Sequence, residues 1–171
     1  MDHIELQWHD RIEHHLGRCK ELHILINGTS LIDLVRPVEL PFAELEGKPD
    51  IAGDYDWLSD VDCEIQRLKT EECMVLGCHC GIPDCWPLTT RVSLADDVVC
   101  WSRFQNWHKG KGCVSEWDHS ALGPFFFDRQ QYENAVRALF PQIEVGQLRE
   151  QVIGQKLEAD FLARQAQEGE Q

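Results

Sequence analysis

Positive charge is scarce in this chain. Across 171 residues, 16 lysines and arginines face 30 aspartates and glutamates, a formal net charge of −14. Such a surface repels a phosphate backbone and an anionic bilayer, so neither nucleic acid nor a membrane is an expected partner. Long apolar runs are missing as well, and none approaches the roughly 18 residues that a membrane span needs. The opening stretch, MDHIELQWHDRIEHHLGRCK, has neither the basic start nor the apolar centre of a secretory signal. A cytoplasmic, reducing setting is therefore expected. In that setting the eight cysteines read as buried thiols or metal ligands ahead of disulfides. Phosphate-binding loops, a GxSxG elbow, a dinucleotide fingerprint and an HExxH pair are all absent. So are internal repeats and low-complexity tracts.

What is present suits one packed domain. Hydrophobic residues make up 43% of the chain, with six tryptophans, enough to bury a full core at this length. Leu22–Ile26, Asn27-Gly28 and Thr29–Val35 predict a hairpin, because Asn-Gly accepts positive φ at both central positions of a type I′ turn. Pro37 and Pro41 are expected to end the pairing. Residues 4–17 fit a short helix or a strand equally well. Residues 46–64 read as an exposed acidic connection. Its DYDWLSDVDCE stretch fails as a calcium loop, since Leu58 and Ser59 stand where an oxygen ligand and then glycine belong.

A second hairpin is predicted from the alternation in Leu88–Leu94, a turn at Ala95-Asp96-Asp97, and a returning strand over Val98–Phe104. The stretch from Asn106 to Ser120, with its Lys-Gly-Lys-Gly, reads as a loop. Asp128 and Gln131 predict a capping box flanked by Phe127 and Tyr132 as a staple. Tyr132, Ala135, Val136, Leu139 and Phe140 then mark one apolar helical face, stopped by Pro141. A further amphipathic helix is expected over about 145–165. The fold class is α+β: an antiparallel, hairpin-rich sheet with C-terminal helices packed on it. The expected organisation is a single domain over 1–141, a C-terminal helix within 142–166 and a frayed tail over 167–171.

Chemistry concentrates in CMVLGCHCGIPDCWPLTTR, residues 73–91. On an extended segment Cys78 and Cys80 point the same way, and Gly81 and Pro83 can fold Cys85 back to them. Three converging thiolates suit a soft tetrahedral ion such as zinc. The fourth ligand would come from His79, Cys73, Cys113 or His119. The same cysteines are also what small buried hydrophobes at a tight turn would look like. A thiol nucleophile with His79 as base and Asp84 as orienter is a further alternative. The N-terminal histidines, at 3, 9, 14, 15 and 23, lack any two-ligand helical spacing. Among the tryptophans, Trp86 and Trp101 sit in strand-like runs and read as core. Trp107 and Trp117 lie on the loop side and are the candidates for contact with a partner.

The block Gly77-Cys78-x-Cys80-Gly81-x3-Cys85-Trp86-Pro87-Leu88, with Val99-x-Trp101-x2-Phe104, Trp117-Asp118 and Gly123-Pro124-Phe125-x-Phe127-Asp128-Arg129-x-Gln131-Tyr132-Glu133, resembles a family of uncharacterised bacterial proteins. The resemblance covers about residues 22–140. It implies a domain extent and no activity, and it implies an aromatic at position 119, which weakens His119 as a general ligand. The expected function is an acidic, cytoplasmic protein-binding module stabilised by zinc, of inhibitor or immunity type, facing a partner with a basic surface. The alternative is an enzyme using a cysteine-bound zinc or a thiolate at Cys78, Cys80 and Cys85.

Overall fold

The structure, a computed structural model, describes residues 1–13, 17–59, 72–78, 80, 85–109 and 116–141. The helix expected over 145–165 and the tail lie outside these residues.

Strand β1 (Ile4–Glu13) pairs antiparallel with β2 (Gly17–Ile26), from Ile4↔Ile26 to Glu13↔Gly17. Alternation sets the faces: Ile4, Leu6, Leu22, Ile24 and Ile26 are buried, while Gln7 and His9 face solvent. The ambiguous segment is a strand over residues 4–13, and β2 decides it by supplying a partner ladder. Asn27 and Gly28 have φ of 54° and 77°, as a type I′ turn requires, and Ile26↔Thr29 closes the hairpin.

Beyond the turn the expectation fails. Strand β3 is only Thr29–Ser30, and helix α1 (Leu31–Leu45) follows at once, with Pro37 and Pro41 inside it. Ser30 caps this helix, its hydroxyl accepting the Asp33 N–H at 3.4 Å. Leu31, Val35, Glu39 and Ala43 repeat every four residues and are all buried. Both prolines are exposed, so water can take over the carbonyls they leave unpaired. Packing of the buried stripe outweighs their cost.

Downstream, a 3₁₀ turn (Pro49–Ile51) leads to β4 (Leu58–Ser59), which pairs with β2. The connection is exposed over 47–50 as expected, but its second half is not, because Ala52, Tyr55 and Leu58 are buried. The second sheet is antiparallel in the order β5 (Glu72–Leu76), β6 (Leu88–Ala95), β7 (Val98–Gln105), β8 (Phe125–Asp128). Its central hairpin is the predicted one, with Ala95↔Val98 closing around Asp96-Asp97. Single bridges at Asp2↔Phe127 and Asp56↔Gly77 join the two sheets at both ends.

Helix α2 (Arg129–Leu139) begins at Asp128, whose carboxylate accepts the Gln131 N–H at 2.8 Å. Phe127 and Tyr132 meet across the cap, with ring centroids 5.7 Å apart. The reciprocal half of the capping box does not form. The Gln131 side chain instead reaches β1, donating to the Ile4 carbonyl at 2.6 Å. Both sheets and both helices share one core, built around Trp101, Phe127, Tyr132, Leu22, Ile24 and Leu76. Trp101 donates its indole N–H to the Tyr132 hydroxyl at 3.1 Å, so even the most polar atoms of that core are paired. The fold class is α+β as expected, with two antiparallel sheets of four strands among the described residues. Among the described residues, no helix is long and apolar enough to cross a membrane.

Candidate functional site

The sulfurs of Cys78, Cys80 and Cys85 lie within 4.8 Å of one another. Strand β5 delivers the first of them. It ends at Leu76, and Gly77 exchanges both backbone hydrogen bonds with Asp56, at 2.9 and 3.0 Å, which fixes the direction in which Cys78 leaves the sheet. The Cys80 N–H then donates to the Cys78 sulfur at 3.5 Å. On the far side of the loop, the Trp86 carbonyl accepts from the Asn106 side chain at 3.2 Å, just beyond Cys85.

Burial pushes the Cys78 thiol up to about 12, and hydrogen bonding with the thiols of Cys80 and Cys85 adds to it, against the Cys80 N–H. Three sulfurs in this arrangement compete for protons that a cation would replace. A tetrahedral ion with bonds of about 2.3 Å spaces its sulfurs about 3.8 Å apart. Three donors already within 4.8 Å could hold such an ion after small side-chain rotations. Cys80 is exposed and Cys85 half-buried, so an ion would have a path in from solvent.

Of the fourth ligands considered, His79 and Cys113 lie outside the described residues. Cys73 is buried on β5, its sulfur 3.6 Å from the Met74 carbonyl, and it does not join the cluster. His119 does not join it either. Its Nε2 lies 3.0 Å from Glu39 Oε1, in a buried network that the sequence reading missed.

Glu39 is the hub of that network. It points inward from α1, fully buried, in the register of Leu31, Val35 and Ala43. Its carboxylate accepts from Lys109 Nζ at 2.8 Å, from the Gly53 N–H at 2.8 Å and from the Tyr55 hydroxyl. Lys109 also donates to the Ile51 carbonyl at 2.9 Å. Its ammonium lies 3.9 Å from the Tyr55 ring centroid, 5.3 Å from that of Trp117 and 5.7 Å from that of Trp86. A charge so placed has exchanged water for a carboxylate, a carbonyl and aromatic faces. Burial opposes ionisation of Glu39, but the hydrogen bond from His119 and the charge and hydrogen bond of Lys109 outweigh it and hold its pKa below the ordinary carboxylate range. Burial lowers the Lys109 pKa, with Glu39, Asp54 and Cys78 opposing that fall. The same burial beside Glu39 pushes the Tyr55 phenol well up.

Asn106 ties the network to the cysteine loop. One side-chain amide donates both to the Tyr55 hydroxyl, at 3.1 Å, and to the Trp86 carbonyl. Its oxygen accepts the N–H groups of His108 and Lys109, at 3.0 and 3.1 Å, and so shapes the turn that aims Lys109 inward. The described part of the expected loop over 106–120 is accordingly well packed, with Asn106, Lys109, Trp117 and His119 all buried. Trp117, expected at a partner surface, stacks on Phe42 and donates to Glu46 at 2.8 Å. Trp107 is 60% exposed. Of the N-terminal histidines, His9 and His23 stack at 4.0 Å and His23 stacks on Trp57 at 4.5 Å, outside the cysteine cluster.

One signal could have revealed the hub: a glutamate in helical register with buried apolar residues requires a partner. Nothing local marks Lys109. Comparison with protein-family models, with curated proteins and with solved structures finds no match. The geometry therefore stands alone as the basis for a functional reading.

Proposed function

We propose that this chain is an acidic protein-binding module whose fold is stabilised by zinc held at Cys78, Cys80 and Cys85. The convergence of the three sulfurs is the observation that carries the metal half of the reading. Thiolate donors favour zinc among the common divalent ions, because soft sulfur suits it better than magnesium or calcium. Its role is structural: the loop that carries the cysteines joins β5 to β6, and an ion there would pin the connection. A net charge of −14 and the exposed indole of Trp107 support the binding half. An acidic surface with an aromatic anchor suits a basic protein partner, of the kind an inhibitor or immunity protein meets.

Native mass spectrometry before and after chelation tests the reading. One zinc ion per chain, lost together with the folded charge-state distribution, is the expected result, since structural metal binding is folding energy. A chain that carries no metal when purified from zinc-supplemented medium overturns it. Zinc lost with the fold intact would instead favour an open, catalytic site on the same three cysteines.

A further inference from the structure

Both ends of the cysteine loop are fastened to one buried network. At the entry, Gly77 is bridged to Asp56, whose chain neighbour Tyr55 donates its hydroxyl to Glu39. At the exit, the Trp86 carbonyl is held by Asn106, which also donates to Tyr55 and shapes the turn leading to Lys109. Lys109 then bonds Glu39 and lies within cation–π range of Trp86 itself. The route from residue 77 to residue 86 through the network crosses only buried or half-buried groups, so a shift at one end is not absorbed by solvent.

We propose that Asn106 and the Glu39–Lys109 pair are positioning residues for ion binding, holding residues 77 and 86 so that Cys78 and Cys85 face one another. This rests on the metal reading above and adds what sets the affinity of the site. Without the fastening, the loop would have to draw its sulfurs together at the moment of binding, at the entropic cost of ordering its backbone. With it, the fold that forms around the ion itself places residues 77 and 86. Partners one step removed from a metal typically change affinity by about 10–100-fold when replaced. Lys109 also places a positive charge near a centre that is net anionic when three thiolates hold a divalent ion.

Cobalt(II) is the probe, because its sulfur-to-metal absorption reports thiolate ligation directly. Asn106→Asp keeps the oxygen that receives the His108 and Lys109 N–H groups and removes the amide that holds Trp86 and Tyr55. Titrated with cobalt(II) against a competing chelator, this variant should bind about 10–100-fold more weakly than the parent protein. Lys109→Met should weaken binding too, with Lys109→Arg restoring part of the loss. Gln131→Ala serves as the control, since it cuts a tether between α2 and β1 and touches neither loop end. Circular dichroism of the metal-loaded proteins confirms that each variant compared is folded. Folded Asn106→Asp and Lys109→Met proteins with parental cobalt affinity overturn the proposal while leaving the metal reading intact. A Gln131→Ala loss as large as theirs overturns it as well, since the effect would then be global softening. A parent protein with no cobalt–thiolate absorption removes the metal reading itself.

Discussion

Lys109 Nζ sits 2.8 Å from Glu39 Oε2 across 70 residues of sequence, and neither side chain retains any exposure to solvent. The pair joins α1 to the turn after β7 and brings three aromatic rings around one ammonium. Its removal from water is expensive, so its effect on stability depends on both partners being present.

Glu39→Gln should destabilise the fold by about 3–5 kcal/mol, because it strands the buried ammonium without its counter-charge. The double variant Glu39→Gln with Lys109→Met should recover part of that loss by removing the stranded charge. Urea denaturation of the parent, the Glu39→Gln and Lys109→Met single variants and the double variant checks this, and additivity of the two single changes would contradict the pairing.

Acid should expose the same group. The Glu39 pKa is depressed in the folded state, so the unfolded chain takes up the proton first as pH falls. Its stabilisation is fully present above the ordinary carboxylate value and is lost as pH drops through the folded value. Denaturation midpoints measured from pH 6 downward should therefore start to fall as pH passes below the ordinary carboxylate value. Glu39→Gln should flatten that slope.

Metal affinity should have the opposite origin for its pH dependence. The Cys78 thiol is pushed up to about 12, so at neutral pH it holds a proton that an ion must displace. Apparent zinc affinity should rise with pH, by at least about tenfold per unit for this one thiol across pH 6–8. Zinc competition titrations read the slope, and a flat profile would mean that Cys78 is not a ligand.

Gly53 allows Glu39 its backbone hydrogen bond. It has φ of +66°, and a Cβ built there would lie 2.8 Å from the Arg36 Cβ. Gly53→Ala should cost about 1–3 kcal/mol in thermal or urea unfolding, combining backbone strain with a clash against α1. A change below a few tenths of a kcal/mol would show that the turn can move aside.

Trp107 is the exposed indole nearest this region in sequence. Trp107→Ala should leave the unfolding midpoint within about 0.5 kcal/mol of the parent, as exposed positions do. It should weaken capture of a basic protein partner by at least about tenfold if the indole is an anchor. Unchanged partner binding would move the contact surface elsewhere.

The outcome at individual elements shows where local pattern suffices. Asn27-Gly28, the alternation of Leu88–Leu94 and the Asp128 cap were each legible, because a turn, a strand face and a helix start are decided within a few residues. The Ser30 cap and the four-residue spacing of Leu31, Val35 and Glu39 were equally local, but two prolines and a β-rich run pointed the other way. Tertiary packing settled that conflict in favour of the helix. Spacing could not separate Cys73 and His119 from the three clustered cysteines, because Cys73 is buried in β5 against the neighbouring Met74 carbonyl and His119 is taken by Glu39 from 80 residues away. Trp117 does lie outside the strands and helices, but Glu46 and Phe42 cover it, so the expected partner contact is buried.

By itself the sequence determined the α+β class, the Asn27-Gly28 turn, the hairpin of Leu88–Phe104 and the acidic charge. Those follow from short-range backbone geometry and from composition, which act without knowledge of the rest of the chain. The hub at Glu39, its union with Lys109 and the fastening of the cysteine loop were decided only by tertiary structure. A buried charge is tolerable only where its partner arrives, and here the partner arrives from 70 residues away.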